Sequence, residues 1–212
     1  MKAKYFRMTE ASPDEKGISC CAEIFKNGGI AVFPTETVYG VGADIFNTSA
    51  VEKLYTAKCR PREKALLCHL YCLEQAEEIG FLDKTARELI KAFTPGPLTV
   101  IVKKKSVVSD TVTSGMDTVG LRFPSNPVFF SLASKCGVPI AGTSANISGE
   151  ASPAEAESAM KALGDKVDAI IDSGITSVGT PSTIISLAGN RPQILRAGAV
   201  TEEMIKEVIG TW

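Results

Sequence analysis

One histidine, one tryptophan and no C-x-x-C pair leave this 212-residue sequence without much of the usual catalytic and metal-binding equipment. A His-based triad would have a single residue to draw on, and G-x-x-x-x-G-K-[ST], G-x-G-x-x-G after a strand, G-x-S-x-G and H-E-x-x-H are all missing. No apolar stretch approaches the roughly 20 residues that cross a bilayer. The opening MKAKYFRMTEASPDEKG lacks the apolar core of a signal peptide. The expectation is a cytoplasmic protein with no membrane partner. An excess of either charge is lacking too: 23 Lys+Arg against 24 Asp+Glu give a net charge of -1, which excludes whole-surface attraction to nucleic acid and confines any polyanion site to one locality. The six cysteines (Cys20, Cys21, Cys59, Cys68, Cys72, Cys136) read as reduced thiols, mostly buried. Cys59, Cys68, His69 and Cys72 could be grouped as metal ligands, but neighbours on an extended segment point to opposite faces, so no metal site is expected.

What the chain does have is 44% hydrophobic residues, enough for one compact domain. Short β-branched runs alternate with helical patterns, the mark of an α/β fold. Strands are predicted at Ile30–Phe33, Ala65–Leu70, Leu98–Lys103, Val119–Phe123, Val138–Ala141, Ala169–Asp172, Thr183–Leu187 and Gln193–Arg196. Helix starts are predicted from capping boxes at Ser49–Glu52 and Ser152–Glu155, from Asn126-Pro127 and from Thr201-Glu202-Glu203. A first helix over Gly17–Lys26 should stop at Asn27-Gly28-Gly29. Irregular strand spacing predicts a large, twisted, mixed sheet. No repeat or linker divides the chain, so residues 1–212 are expected to form a single domain.

Three polar loops follow apolar strands, where α/β sheets place ligands. Pro34-Thr35-Glu36-Thr37-Val38-Tyr39-Gly40 leaves the run Ile30–Phe33; it reads equally as a ligand loop or as a turn whose hydroxyls satisfy local backbone. Lys58-Cys59-Arg60-Pro61-Arg62-Glu63-Lys64 sets four cations in seven residues at a helix end. Complementing the helix dipole needs fewer, which favours anion binding. Lys103-Lys104-Lys105 reads instead as a solvated strand end. The third loop, Thr143 to Pro153, offers small hydroxyls, an amide and glycine just before a helix. Together with the cations and a strand carrying Arg122, it outlines a nucleotide site without a P-loop.

At these residues the chain resembles the YrdC/Sua5 family of L-threonylcarbamoyladenylate synthases. The resemblance runs from about Gly17 to Ala199 through PTETVYG, K-x-R-P at 58–61, TPGPLT at 94–99, TVGLRFP at 118–124, TSANISG at 143–149, PST at 181–183 and ILRAG at 194–198. It implies a twisted mixed α/β domain with a concave cleft. The activity implied is conversion of L-threonine, bicarbonate and ATP, with Mg2+, into threonylcarbamoyl-AMP and pyrophosphate. That product supplies the group placed on N6 of adenosine 37 in tRNAs reading ANN codons. By resemblance, L-threonine falls to Thr35, His69, Arg122, Ser144 and Ser182, and ATP to Arg60, Lys64, Thr118, Asn146, Ser152 and Arg196. Lys58 and Arg60 carry catalysis within one cationic wall. Ala65 stands where the family often has proline. Longer members carry a second, C-terminal domain, which this sequence lacks, so separate proteins are expected to transfer the group, with tRNA binding by this chain weak or absent. Two other readings remain: a same-fold paralogue with another carbamoyl-transfer role, and an RNA-binding module. Whether the polar segment Lys105–Asp117 closes over the ligand as a mobile lid is left open by the sequence.

Overall fold

A computed structural model of the chain describes residues 3–212. In chain order the elements are β1 (Lys4–Arg7), α1 (Glu15–Lys26), β2 (Ala31–Phe33), β3 (Gly40–Asp44), α2 (Thr48–Ala57), β4 (Leu67–His69), α3 (Leu73–Ile79), α4 (Lys84–Phe93), β5 (Leu98–Lys103), α5 (Asp110–Thr113), β6 (Thr118–Arg122), α6 (Pro127–Cys136), β7 (Ile140–Ser144), α7 (Ala156–Leu163), β8 (Ala169–Asp172), β9 (Thr183–Ser186), β10 (Gln193–Arg196) and α8 (Glu202–Ile209). The strands form one sheet in the order β1-β8-β2-β3-β7-β4-β6-β5-β9-β10. Pairing is mixed as expected: β4 runs parallel to β6 and antiparallel to β7, and β5 parallel to β9 and antiparallel to β6.

Each predicted strand is present, β5, β8 and β10 with the predicted ends and the other five with shifted ones, and two more appear. β1 is a short, mostly exposed edge strand. β3, Gly-Val-Gly-Ala-Asp, has the wrong composition for a strand by propensity, yet it lies mid-sheet between β2 and β7. A methyl group at Gly40 would lie 2.6 Å from the Phe33 ring, so glycine here lets that ring lie across its neighbour strand.

Two of the predicted caps move. α2 is capped two residues before Ser49 by Asn47, whose side chain accepts from the Ala50 amide at 3.0 Å. A turn from Asp44 brings the chain straight into the helix there. Ser152 caps nothing: Tyr39 N–H donates to the Pro153 carbonyl and Thr176 N–H to that of Ala154, which hold this segment in a crossing connection until α7 begins at Ala156. The caps at Asn126 and Thr201 stand as predicted, and α1 is led in by Asp14.

One face of the sheet carries Val41, Cys68, Val100, Leu121 and Ile170, and these pack with residues of α2, α3, α4, α7 and α8 in the larger core. On the other face α1 and α6 cover only Ala31, Phe33, Ile140, Ala169 and Ile171. Alternation along β4 and β6 then turns Leu67, His69, Gly120 and Arg122 onto the remaining uncovered stretch. Segment 105–117 is not a free lid. Val108, Val112 and Thr113 are buried, Leu66 N–H donates to the Val112 carbonyl, and Lys104 reaches across to Asp110. The apolar valines in this otherwise polar stretch are what pin it.

Candidate active site

The uncovered stretch forms the floor of a cavity of about 90 Å³. Thr35, His69, Arg122, Ser144 and Ser182, from five separate segments, all line it, as do Ser152 and Arg196. Arg60, Lys64, Thr118 and Asn146 do not. Asn146 and Ser152 share an adjoining groove of about 490 Å³ with Ala145, Ser158 and Ile175. Thr118 lies on the same face of β6 as Arg122, four residues or roughly 13 Å along the strand. Larger hollows at Phe81 and at Phe130 gather none of these residues.

Arg122 is buried, and its charge is met by Glu36, which sequence reasoning left without a role. The two side chains are 2.5 Å apart at Nη2 and Oε1, both almost fully enclosed. Nη1 donates to the Gly96 carbonyl, and Nη2 also reaches Thr37 Oγ1 at 3.4 Å. Burial works against the guanidinium's charge and Glu36 supports it; an arginine so paired stays protonated. Thr35 Oγ1 donates to the Val38 carbonyl at 2.5 Å and receives the amides of Thr37 and Val38, so the PTETVYG loop is both a hydroxyl-stitched turn and a cavity wall.

His69 lies against Phe33 and Phe129, ring centroids 5.5 and 6.0 Å away, and over Gly142, where a Cβ would come within 2.9 Å of Nδ1. Burial, reinforced by Arg122, lowers its pKa to about 3, so the imidazole is neutral at physiological pH. Its Nδ1 is buried with no partner. Across the cavity, Ser182 Oγ bonds Thr99 Oγ1 at 2.8 Å and accepts from Arg196 Nη2 at 3.0 Å. Pro181 and Ser182 belong to the connection between β8 and β9. That connection is fastened by Ser173 N–H to Tyr39 Oη and by Val178 N–H to the Glu36 carbonyl.

The K-x-R segment is the C-cap of α2. Arg60 N–H returns to the Tyr55 carbonyl at 3.0 Å and Cys59 N–H to that of Thr56 at 3.1 Å, the paired bonds of a Schellman motif. Cys59 occupies its left-handed position, φ 49°, where glycine is usual. This turn parts the two cations. Lys58 points inward, 1% exposed, and donates to the backbone carbonyls of Ser144 and Asn146. Its own carbonyl accepts from Ser148 N–H. Burial first, then Arg60, lowers its pKa to about 7. Lys58, expected in one cationic wall with Arg60, thus turns its ammonium to the 144–148 loop, apart from Arg60. Arg60 donates to the carbonyls of Lys64 and Ala65. Arg62 pairs with Glu52 and stacks on Tyr55, facing away from the site, and Lys64 is exposed. Asn146 Nδ2 bonds the Ile147 and Glu150 carbonyls, while its Oδ1 is buried without a partner.

Among the described residues, no three His, Cys, Asp or Glu side chains converge as metal ligands, and Glu36, the buried carboxylate beside the cavity, is engaged by Arg122 and Ser125. A divalent cation therefore has no protein cage here. No helix among these residues is long and apolar enough to cross a membrane.

Fold and site together define an α/β protein with a small polar cavity on the open part of a mixed sheet. Residues 23–198 match the Sua5/YciO/YrdC family model, described as telomere recombination, and the chain belongs to this family. It is 40% identical over 203 residues to the threonylcarbamoyl-AMP synthase of Bacillus subtilis, covering 95% of this chain and 59% of that protein. A Mycobacterium tuberculosis relative, 39% identical over 203 residues, is matched over 94% of this chain and 93% of its own length. Among solved structures, Pyrococcus abyssi Sua5 complexed with L-threonine superposes with a TM-score of 0.94 at 37% identity, over 99% of this chain and 61% of that one. Escherichia coli YciO superposes at 0.85 with 28% identity, over 93% of this chain and 96% of its own. The chain thus spans about three-fifths of the first of these relatives and nearly the whole of others.

Proposed function

We propose that this protein makes threonylcarbamoyl-AMP from L-threonine, bicarbonate and ATP. The observation that carries the reading is the gathering of Thr35, His69, Arg122, Ser144 and Ser182 around one small cavity. Relatives named threonylcarbamoyl-AMP synthase, and a relative's structure with threonine, support it. A cavity of about 90 Å³ suits an amino acid and is well below the several hundred Å³ of a larger ligand's pocket. The nucleotide lies beside it, along Ser152 and Arg196 on the cavity's wall and Arg60, Lys64, Thr118 and Asn146 beyond that wall.

Arg122 receives the amino-acid carboxylate, and the hydroxyls of Thr35, Ser144 and Ser182 read its hydroxyl and amine. Neutral His69 contributes a hydrogen-bonding nitrogen and adds no charge. Bicarbonate takes up a proton and loses water to give CO2; the threonine amine, once deprotonated, adds to the CO2 carbon and sheds a second proton, which replaces the one bicarbonate consumed, to leave a carbamate anion. A carbamate oxygen then attacks the α-phosphorus, the bond to the bridging oxygen breaks, and pyrophosphate departs with those electrons. The protein supplies position and positive charge, with no covalent nucleophile. Arg60 and Lys64 face the phosphates, and Lys58 serves catalysis by holding the loop that carries Ser144 and Asn146. Mg2+ enters with the triphosphate as its counter-ion. The product passes to separate proteins that modify adenosine 37 of tRNA in the cytoplasm, with little direct tRNA binding by this chain.

Pyrophosphate release by the purified protein, with L-threonine and bicarbonate each supplied or withheld, tests the reading. Release that needs both is expected; release indifferent to threonine would refute it.

A further inference from the structure

Glu36 is the one carboxylate buried among the described residues. It does not line the cavity, although Thr35 and Thr37 on either side of it do. Its Oε1 takes Arg122 Nη2, its Oε2 takes the Ser125 amide at 3.1 Å, and its backbone carbonyl takes Val178 N–H at 2.8 Å. A guanidinium has five N–H groups in a rigid plane. Here three bonds leave Arg122 for Glu36, Gly96 and Thr37, and what is left over is all that Arg122, as a cavity wall, can offer a ligand. A buried guanidinium without a counter-charge would be costly and free to turn toward any acceptor.

We propose that Glu36 is a positioning residue of the amino-acid site: its carboxylate, held at its other oxygen by the Ser125 amide, locks Arg122 in the orientation that presents its remaining N–H groups to a carboxylate in the cavity. This rests on the amino-acid reading of that cavity. Glu36 acts through Arg122 and touches no substrate. Both carboxylate oxygens are needed, because glutamine can accept at only one of them and must turn an N–H2 donor toward either Arg122 or the Ser125 amide. Aspartate keeps the charge and loses reach.

The test titrates L-threonine, and separately ATP, into the wild type, Glu36→Gln and Glu36→Asp by calorimetry. NMR of the arginine side chains follows rotation of the Arg122 guanidinium in the ligand-free proteins. Threonine affinity should fall at least ten-fold in Glu36→Gln and less in Glu36→Asp, with ATP affinity within two-fold in both. Guanidinium rotation, slow in the wild type, should quicken in Glu36→Gln. Threonine affinity within two-fold of wild type in folded Glu36→Gln would overturn the proposal, as would equal losses for threonine and ATP, which mark a general loss of structure. Should Glu36→Gln not fold, Glu36→Asp decides: a loss of three-fold or more for threonine alone supports the proposal, and a loss below that overturns it. A wild type that binds no threonine refutes the amino-acid reading itself. The ligand-free NMR then judges Glu36 independently, since a rotation rate unchanged by the substitution would overturn its positioning role.

Discussion

The two cationic regions on either side of Ser144 are built on opposite plans. Arg122 is enclosed, matched by a buried carboxylate and fixed by the Gly96 carbonyl as well. The 58–64 loop is largely exposed: Arg60 binds the carbonyls of Lys64 and Ala65, Arg62 pairs with Glu52, and Lys64 is exposed. Burial explains the contrast. A charge removed from water must be paired, and pairing fixes its geometry; an exposed charge costs little and can change partners. The first region is therefore fixed in advance, whereas the second, to serve the proposed nucleotide, must exchange Arg60's bonds to Lys64 and Ala65 for bonds to phosphate.

Replacing Arg122 with Leu breaks the contrast most severely. It strands Glu36 as a buried unpaired charge, so urea unfolding should show a loss of about 3–5 kcal/mol, and calorimetry should find threonine binding abolished. Arg60→Ala should leave the unfolding midpoint nearly unchanged, yet lower the rate of pyrophosphate release by about a hundred-fold, the scale for one lost charge-stabilising donor.

Lys58→Met reports on the effect of burial, because Lys58 is a buried cation without a carboxylate. Its folded pKa, about 7, lies below the ordinary 10.5, so between those values the unfolded chain binds the extra proton. Wild-type stability relative to Lys58→Met should consequently rise with pH across that window, by at most about 1.4 kcal/mol per pH unit, and stay flat below it. Denaturant unfolding at several pH values checks this, and a flat difference throughout would contradict it. The smallest effect is expected from Cys59→Gly, which relieves a left-handed cysteine and should stabilise the protein by about 1 kcal/mol with pyrophosphate release unchanged.

Much of the architecture was legible from local pattern. β-branched runs such as Leu98–Lys103 became strands, and Asn126-Pro127 became a helix start with Asn126 Oδ1 accepting two amides. β3 was hidden because its glycines read as turn, and only the sheet shows why Gly40 must be small. Ser49 competed with Asn47 for one cap, and the tight turn at Asp44 decided it. The cavity's side chains came into view through the family resemblance; nothing local to Ser182 or His69 announces a ligand. Glu36 was in plain sight within PTETVYG, but its partner Arg122 is 86 positions away, beyond any local periodicity. The inward turn of Lys58 was concealed by a Schellman cap that carries Cys where Gly would have signalled it.

In the proposed reaction the cavity's amino acid and the nucleotide beside it become one molecule. Incubation with ATP, L-threonine and 13C-labelled bicarbonate, followed by mass spectrometry of the nucleotide products, tests it most directly. A threonylcarbamoyl-AMP mass that carries the label and vanishes when threonine is withheld is the predicted result. Unlabelled AMP or unchanged ATP from a folded protein shown to bind both substrates would contradict it.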